Sequence, residues 1–392
     1  MKSNYALTLA ALGLAACLPP AHAQLVIPSD GSDGAFNPPV SPTNVVIDLS
    51  QAVPGVWNAD NSANAGKGIY DSNKWAVVFK YSSVNIPTGV TVSFKNHASR
   101  APVVWLVNEA VSIGGTIRLD GPPPVTGPEA LVPAEPGPGG FRGGPSGPPG
   151  AGAGLGPGGA NAGGYPGGSH SAYASVYGNP QILPLIGGSG SGGYTDEGNR
   201  GAAGGGALLI ATAGNLVIEG VISSQGGASH RVNSSGGAVR VIANQVLGAG
   251  EINCLLDGRV RIEASALAAS LRTFPETIAV PPANPPLIWP PDGAPKVRIV
   301  NVDTFATPAE PTAPLVSSAD VAIQNDNPAV VLLETREFPI EGVVDLRVSQ
   351  KWGAASWVRC SYVSGNQAQA TWRAQITFVK GYTTLQARAT AP

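Results

Sequence analysis

Apolar and polar residues alternate along much of the chain with a period of two, the signature of half-buried β-strands. In Val84-Asn85-Ile86-Pro87-Thr88-Gly89-Val90-Thr91-Val92-Ser93-Phe94 the even positions are mostly apolar and the odd ones polar or small. From Val111 the alternation runs through Ile113, Gly115, Ile117 and Leu119, with Ser112, Thr116, Arg118 and Asp120 on the opposite face. It returns at Leu216, Ile218, Gly220 and Ile222, and again at Val246, Gly248, Gly250, Ile252 and Cys254. Each copy follows a second apolar strand, near Val77 and Phe79, Val103 and Trp105, Leu208 and Ile210, or Val239 and Val241, with a further one at Val260 and Ile262.

The copies beginning at residues 84, 111, 216 and 246 are about 27 to 30 residues apart on either side of one long gap, a spacing suited to stacked coils of a solenoid. The expected fold is all-β: a right-handed parallel β-helix carrying a large insertion, followed by a small antiparallel β-sandwich. The last part is read from shorter alternating strands at Val344–Val348, Val358–Tyr362, Ala370–Phe378 and Leu385–Ala389. Turns at Lys351-Trp352-Gly353, Ser364-Gly365-Asn366 and Lys380-Gly381-Tyr382 separate them.

Composition adds the divisions. Residues 121–206 hold 29 Gly and 14 Pro, half of that stretch, without the three-residue repeat of collagen. This stretch lacks the apolar groups for an ordinary core and is expected to be a long loop or a bundle of extended segments hung from one coil. The expected organisation is a signal peptide over 1–23 (alternatively a lipoprotein signal over 1–16), a flexible tether over 24–44 and a β-solenoid over 45–272. The solenoid carries a Gly/Pro-rich insertion over 122–205. A Pro-rich linker over 273–319 and a β-sandwich over 320–392 follow. The leader rests on Lys2, an apolar run from Ala6 to Leu18, and Ala21-His22-Ala23 before Gln24; Leu14-Ala15-Ala16-Cys17 also matches a lipobox, which makes Cys17 a candidate lipid attachment site.

Charge narrows the functional classes. The 23 basic and 25 acidic residues offer no basic excess for nucleic acid. Four His and three Cys suggest neither a metal site nor a cofactor; Asp30-Gly-Ser-Asp33-Gly has a calcium-like flavour but lacks the full ligand spacing and reads as a flexible turn. Cys254 and Cys360 fall on inward positions of different domains and are expected to be buried free thiols. On the outward face of the coils, Glu219 and Glu251 fall one rung and two residues apart, roughly 8 Å, a spacing compatible with a paired-carboxylate hydrolase; Arg118 completes that candidate catalytic set. Arg240 and Arg261, at equivalent outward positions with Glu263 nearby, are candidate contacts for an anionic glycan.

Lys74-Trp-Ala-Val-Val-Phe-Lys-Tyr, Ser99-Arg-Ala-Pro-Val-Val-Trp-Leu-Val, Glu135-Pro-Gly-Pro-Gly-Gly-Phe-Arg-Gly-Gly and Gly204-Gly-Gly-Ala-Leu-Leu-Ile-Ala resemble segments of uncharacterised secreted glycine-rich bacterial proteins with parallel β-helix-like repeats. The resemblance spans residues 45 to 265. It implies export and architecture and transfers no active site. The expected function is that of an exported cell-envelope or surface protein, structural or adhesive and without catalysis, with polysaccharide or another surface component as partner and the membrane reached only through a lipid anchor. The alternative is a polysaccharide lyase or glycoside hydrolase working on the outward face.

Overall fold

A computed structural model describes residues 25–124, 132–147, 150–162, 173–175, 177–194, 200–228, 232–311, 319–324 and 328–392. Cys17 and the whole leader lie outside these residues. Among them the chain is nearly all β, with two short 3-10 turns and no α-helix.

Three parallel ladders receive one strand each from successive stretches of chain. The first contains the N-terminal half of Ala76–Ile86, then Val103–Val107, Ala207–Thr212, Ala238–Ile242, Arg259–Glu263 and Ala279–Val280. Its register carries Phe79 onto Trp105, Ile210, Val241, Ile262 and Ala279 in turn. The second is shorter and stacks Val84, Val111, Leu216, Val246 and Leu267. In the third, Val45, Val92, Ile117, Ile222, Ile252 and Thr273 are successive partners. These columns supply one apolar cluster, with Phe79, Trp105, Ile210, Ile117 and Ile252 fully buried. The period-two alternation therefore identified the inward residues of the second and third ladders, and it placed Cys254 correctly inside.

The first ladder departs from the expectation of a solvent-facing outer side. Val78, Val104, Leu106, Leu209 and Ile242 form a second cluster on its reverse face, covered by Leu25, Ile27, Ile182, Leu185 and Ile288. Strands such as Val103-Val-Trp-Leu-Val107, buried at every residue, have the near-continuous apolar sequence that a parallel strand covered on both faces requires. The covering segments come from regions expected to be loose. Residues 25–44 do not form a flexible tether: Leu25 and Ile27 are buried, and Gly34–Phe36 pairs in parallel with the long strand, Gly34 opposite Tyr81 and Phe36 opposite Val84. Lys80, 1% exposed, holds this segment down through Asp30 at 2.6 Å.

The described parts of the glycine-rich segment are held by their backbone. Along residues 187–193 every third amide turns the same way: Gly187, Gly190 and Gly193 donate to the carbonyls of Gly139, Leu155 and Gly152, each at 2.9 Å. Gly188 and Ser191 donate to Gly205 and Ala202 on a second side, and Ser189 to the Ser235 hydroxyl on a third. Three residues per turn with no internal ladder is the pattern of polyproline II chain, and residues 187–193 follow it within a bundle of segments, their outward amides paired to neighbours. Glycine is required by proximity: a Cβ at Gly190 would overlap the Arg142 carbonyl, and one at Gly204 the Gly188 carbonyl. The bundle joins the ladders directly, since Gly206 donates to Leu119 and Ala238 to Gly206.

Toward the C-terminus, two antiparallel sheets share one apolar cluster including Val331, Leu333, Leu346, Trp372 and Cys360. One sheet runs Phe305–Ala306, Lys296–Val302, Ala329–Arg336, Gln369–Ile376, Ser361–Gly365; the other runs Ser356–Arg359, Val343–Gln350, Thr383–Thr390. Three expectations change here. The antiparallel unit starts at Lys296 instead of 320, and the stretch expected as linker also supplies Arg272–Phe274 and Ala279–Val280 to the ladders. The apolar run Val358–Tyr362 divides at buried Cys360, with residues before it in one sheet and after it in the other. The turn at Lys380-Gly381-Tyr382 passes between sheets, since Thr383–Thr390 pairs with Val343–Gln350. Alternation is the same in either sheet, so it cannot report such a crossing.

Arg347 locks this unit onto the glycine-rich bundle. It is 2% exposed, and its guanidinium donates to the carbonyls of Gly154, Gly156 and Gly159 at 2.8–3.1 Å.

Candidate functional site

A cleft of about 1210 Å³ lies between the glycine-rich bundle and the antiparallel sheets. Phe141, Arg142 and Leu155 come from the bundle, Trp75 and Arg100 from the ladder entrances, and Val297, Arg298, Ile299, Tyr382, Leu385 and Ala387 from the sheets. Arg100 sits at φ 53° immediately before Ala101-Pro102 and the Val103 strand, in the left-handed region that non-glycine residues seldom adopt.

One carboxylate organises this wall. Arg100 Nε and Nη2 donate to the two oxygens of Glu135 at 2.6 and 2.9 Å, Asn96 donates at 2.8 Å, and Arg142 donates to Glu135 and to the Pro133 carbonyl. Burial alone would raise the Glu135 carboxyl, but the Arg100 hydrogen bonds and charge, with Asn96 and Arg142, outweigh it and hold it below the usual carboxylate range. Burial also lowers the Arg142 guanidinium, partly offset by Glu135. Arg142 is 8% exposed, and its Nε has no hydrogen-bond partner. Two nearly buried guanidiniums thus meet at a single carboxylate in the wall, with Arg298, Lys380 and Asp320 on the rim.

The residues singled out by sequence lie elsewhere. The register sets Val221 opposite Glu251, so Glu219 is indeed one rung and two residues away. It lies in the exposed turn before the strand and accepts from the Ala249 amide at 3.3 Å. Glu251 is committed to Arg272 at 2.8 Å and to Asn253 at 2.8 Å. Arg118 is exposed and stands 3.8 Å from Asp120. These three sit on an open sheet face with separate partners.

Arg240 is 2% exposed beneath the segments covering the first ladder; its Nε and Nη2 donate to Glu263 Oε1 at 2.9 and 2.7 Å, and Arg261 Nε reaches the same oxygen at 2.7 Å. A glycan reaching Arg240 would have to displace Glu263 and the covering layer. Asp30 and Asp33 are held by Lys80, Asn61 and the Gly66 amide, and no cluster of three or more metal-ligating side chains occurs among the described residues.

Sequence reasoning passed over Arg100, Glu135 and Arg142 because they lie outside any periodic strand. Their faint signal was Glu135 and Arg142, two of the few charges in the glycine-rich stretch. Comparison with protein-family models, curated proteins and solved structures finds no match for this chain.

Proposed function

We propose that this chain is an exported cell-envelope or surface protein of structural and adhesive kind, which holds a polysaccharide or other surface component in the cleft without transforming it. In this reading the three ladders are the faces of a right-handed parallel β-helix whose successive coils each supply one strand to a face, and the two antiparallel sheets are a β-sandwich. The observation that carries the reading is the cleft itself. It is walled by residues from distant parts of the chain, and its Arg100–Glu135–Arg142 cluster, two buried guanidiniums on one exposed carboxylate, supplies fixed donors instead of a pair of facing acids. A rigid column ending in such a cleft suits holding a partner at a fixed position.

Purified protein tested against neutral and acidic polysaccharides, with binding and new reducing or unsaturated ends followed together, decides the matter. Binding without new ends is expected. New ends that vanish in Glu251→Gln would instead support a hydrolase or lyase on the outer sheet face. Export is tested by cell fractionation and intact mass: an N-terminus at Gln24 indicates free secretion, and a lipid mass on Cys17 an anchored form.

A further inference from the structure

The two ends of the stacked coils are finished differently. At the first end the outer edge of the long strand Ala76–Ile86 is paired, by Ile69–Asp71 along its first half and by Gly34–Phe36 further on, and Leu49 and Tyr70 close the core there. At the last end Ala279–Val280, Leu267 and Arg272–Phe274 finish the three ladders. Among the described residues no strand borders any of them on the far side. Cys254 and Ala264 donate to the carbonyls of Phe274 and Val280, so the alternation of a parallel strand turns the N–H and C=O of Thr273 and Ala279 away from the preceding coil. The chain then leaves this end at Pro281 and returns over the reverse face of the first ladder, where Ile288 packs.

This last coil has no polar cap. Residues 265–281 carry only two charges, Arg272 and Glu276. Ala266, Ala269, Pro275 and Ile278 are exposed, and Leu267, Phe274, Ala279 and Val280 are half-buried. Ile278, at 79%, is the most exposed large hydrophobic residue among those described. A stack of repeats ordinarily ends in a coil with a polar outer face, which keeps it soluble, and free strand edges are ordinarily blunted by charge. The two charges present are of opposite sign. Arg272, mostly exposed, holds Glu251 at 2.8 Å, and Glu276 has no ion-pair partner among the described residues.

We propose that two copies of this chain join through this end, last coil against last coil, about a two-fold axis that crosses Arg272–Phe274 at right angles. Such an axis sets the coil outline against itself, so the apolar residues of one copy meet those of the other. The facing strands run antiparallel, which brings Arg272 of each copy toward Glu276 of the other and gives the outward Thr273 groups partners across the junction. The first end is already paired on two of its three ladders, so head-to-tail growth into a filament is blocked and assembly closes at two. The cleft lies beside Trp75 and Arg100, at the first rungs of the ladder, so the pair carries two clefts away from its junction and holds a repetitive partner bivalently. The junction itself does not depend on what the cleft holds.

The test is sedimentation equilibrium of the full mature chain. Twice the chain mass is expected, reached reversibly with concentration, with amide exchange slowed on association within residues 265–281. Ile278→Glu, at a side chain exposed in the single copy, should weaken association at least about tenfold and leave the melting temperature of the dilute protein unchanged. Glu276→Arg, which sets like charges against Arg272, should also weaken it. Val46→Glu, on the exposed first strand of the third ladder, should leave association as it was. A single chain at about 100 μM, a hundredfold above a micromolar Kd, overturns the inference, as does a mass that climbs past two chains. Association unchanged in both Ile278→Glu and Glu276→Arg, or lost in Val46→Glu and kept in Ile278→Glu, overturns it as well.

Discussion

The parallel ladders and the glycine-rich bundle satisfy the same backbone groups by opposite means. In the ladders, strands stand at sheet spacing and the space between faces is filled by columns such as Phe79, Trp105, Ile210, Val241 and Ile262. In the bundle, neighbouring segments come so close that a Cβ would strike a carbonyl at Gly188, Gly190, Gly193 or Gly204, so the packing is backbone on backbone. Stability in the first region therefore depends on side-chain volume. In the second it depends on the absence of side chains. An apolar-poor segment is not thereby a loose one.

The largest expected effect lies on the ladder side. Trp105 is fully buried between Phe79 and Ile210, and Trp105→Ala should cost about 3–5 kcal/mol, measured by denaturant unfolding. Next comes the joint between bundle and sheets. Arg347→Met removes the donor for the Gly154, Gly156 and Gly159 carbonyls and should destabilise by about 1–3 kcal/mol; a separate, earlier transition of the antiparallel sheets would locate the loss at that joint.

A matched pair of methyl additions sharpens the comparison directly. Gly190→Ala forces a Cβ into the Arg142 carbonyl and should cost about 1–3 kcal/mol, as overpacking does. Gly150→Ala, with nothing within 4 Å of its Cβ, should leave stability unchanged or slightly raised. Equal losses at both would mean that the bundle is not close-packed.

Acid should loosen the cleft and the C-terminal sheets. Glu135 and Asp345 both have lowered carboxyl pKa values: burial opposes ionisation in each, and the paired arginines, Arg100 for one and Arg388 with Arg359 for the other, outweigh it. With the folded value below the unfolded one, their contribution is fully present above the ordinary values of 4.5 and 3.8. It is lost as pH falls below these through the lowered folded values. Thermal scans from pH 6 downward, with Glu135→Gln as the less acid-sensitive control, measure this. The smallest effect is expected at Glu219, whose single contact is one backbone amide on an exposed turn: Glu219→Gln should leave melting temperature and ligand binding unchanged.

Period-two patterning was enough to find many of the ladder strands, their inward residues and which of them stack, because burial of alternate side chains is a local property of a pleated strand; it missed Asn44–Asp48, Lys296–Val302 and Ala329–Arg336. It also placed both cysteines inside, where they are buried and unpaired. It failed on the first ladder's reverse face, because what covers Val104 and Leu209 is Leu25, Ile182 and Ile288, residues far away in sequence that carry no periodic mark. Similarly, half glycine and proline announces extended chain, but whether extended segments float or interlock depends on which carbonyl lies beside which glycine. The acids legible on one strand face, Glu219 and Glu251, were given separate partners by the fold. Arg100, Glu135 and Arg142 were assembled from a strand entrance and an irregular segment, a convergence that only the close approach of distant backbones could decide.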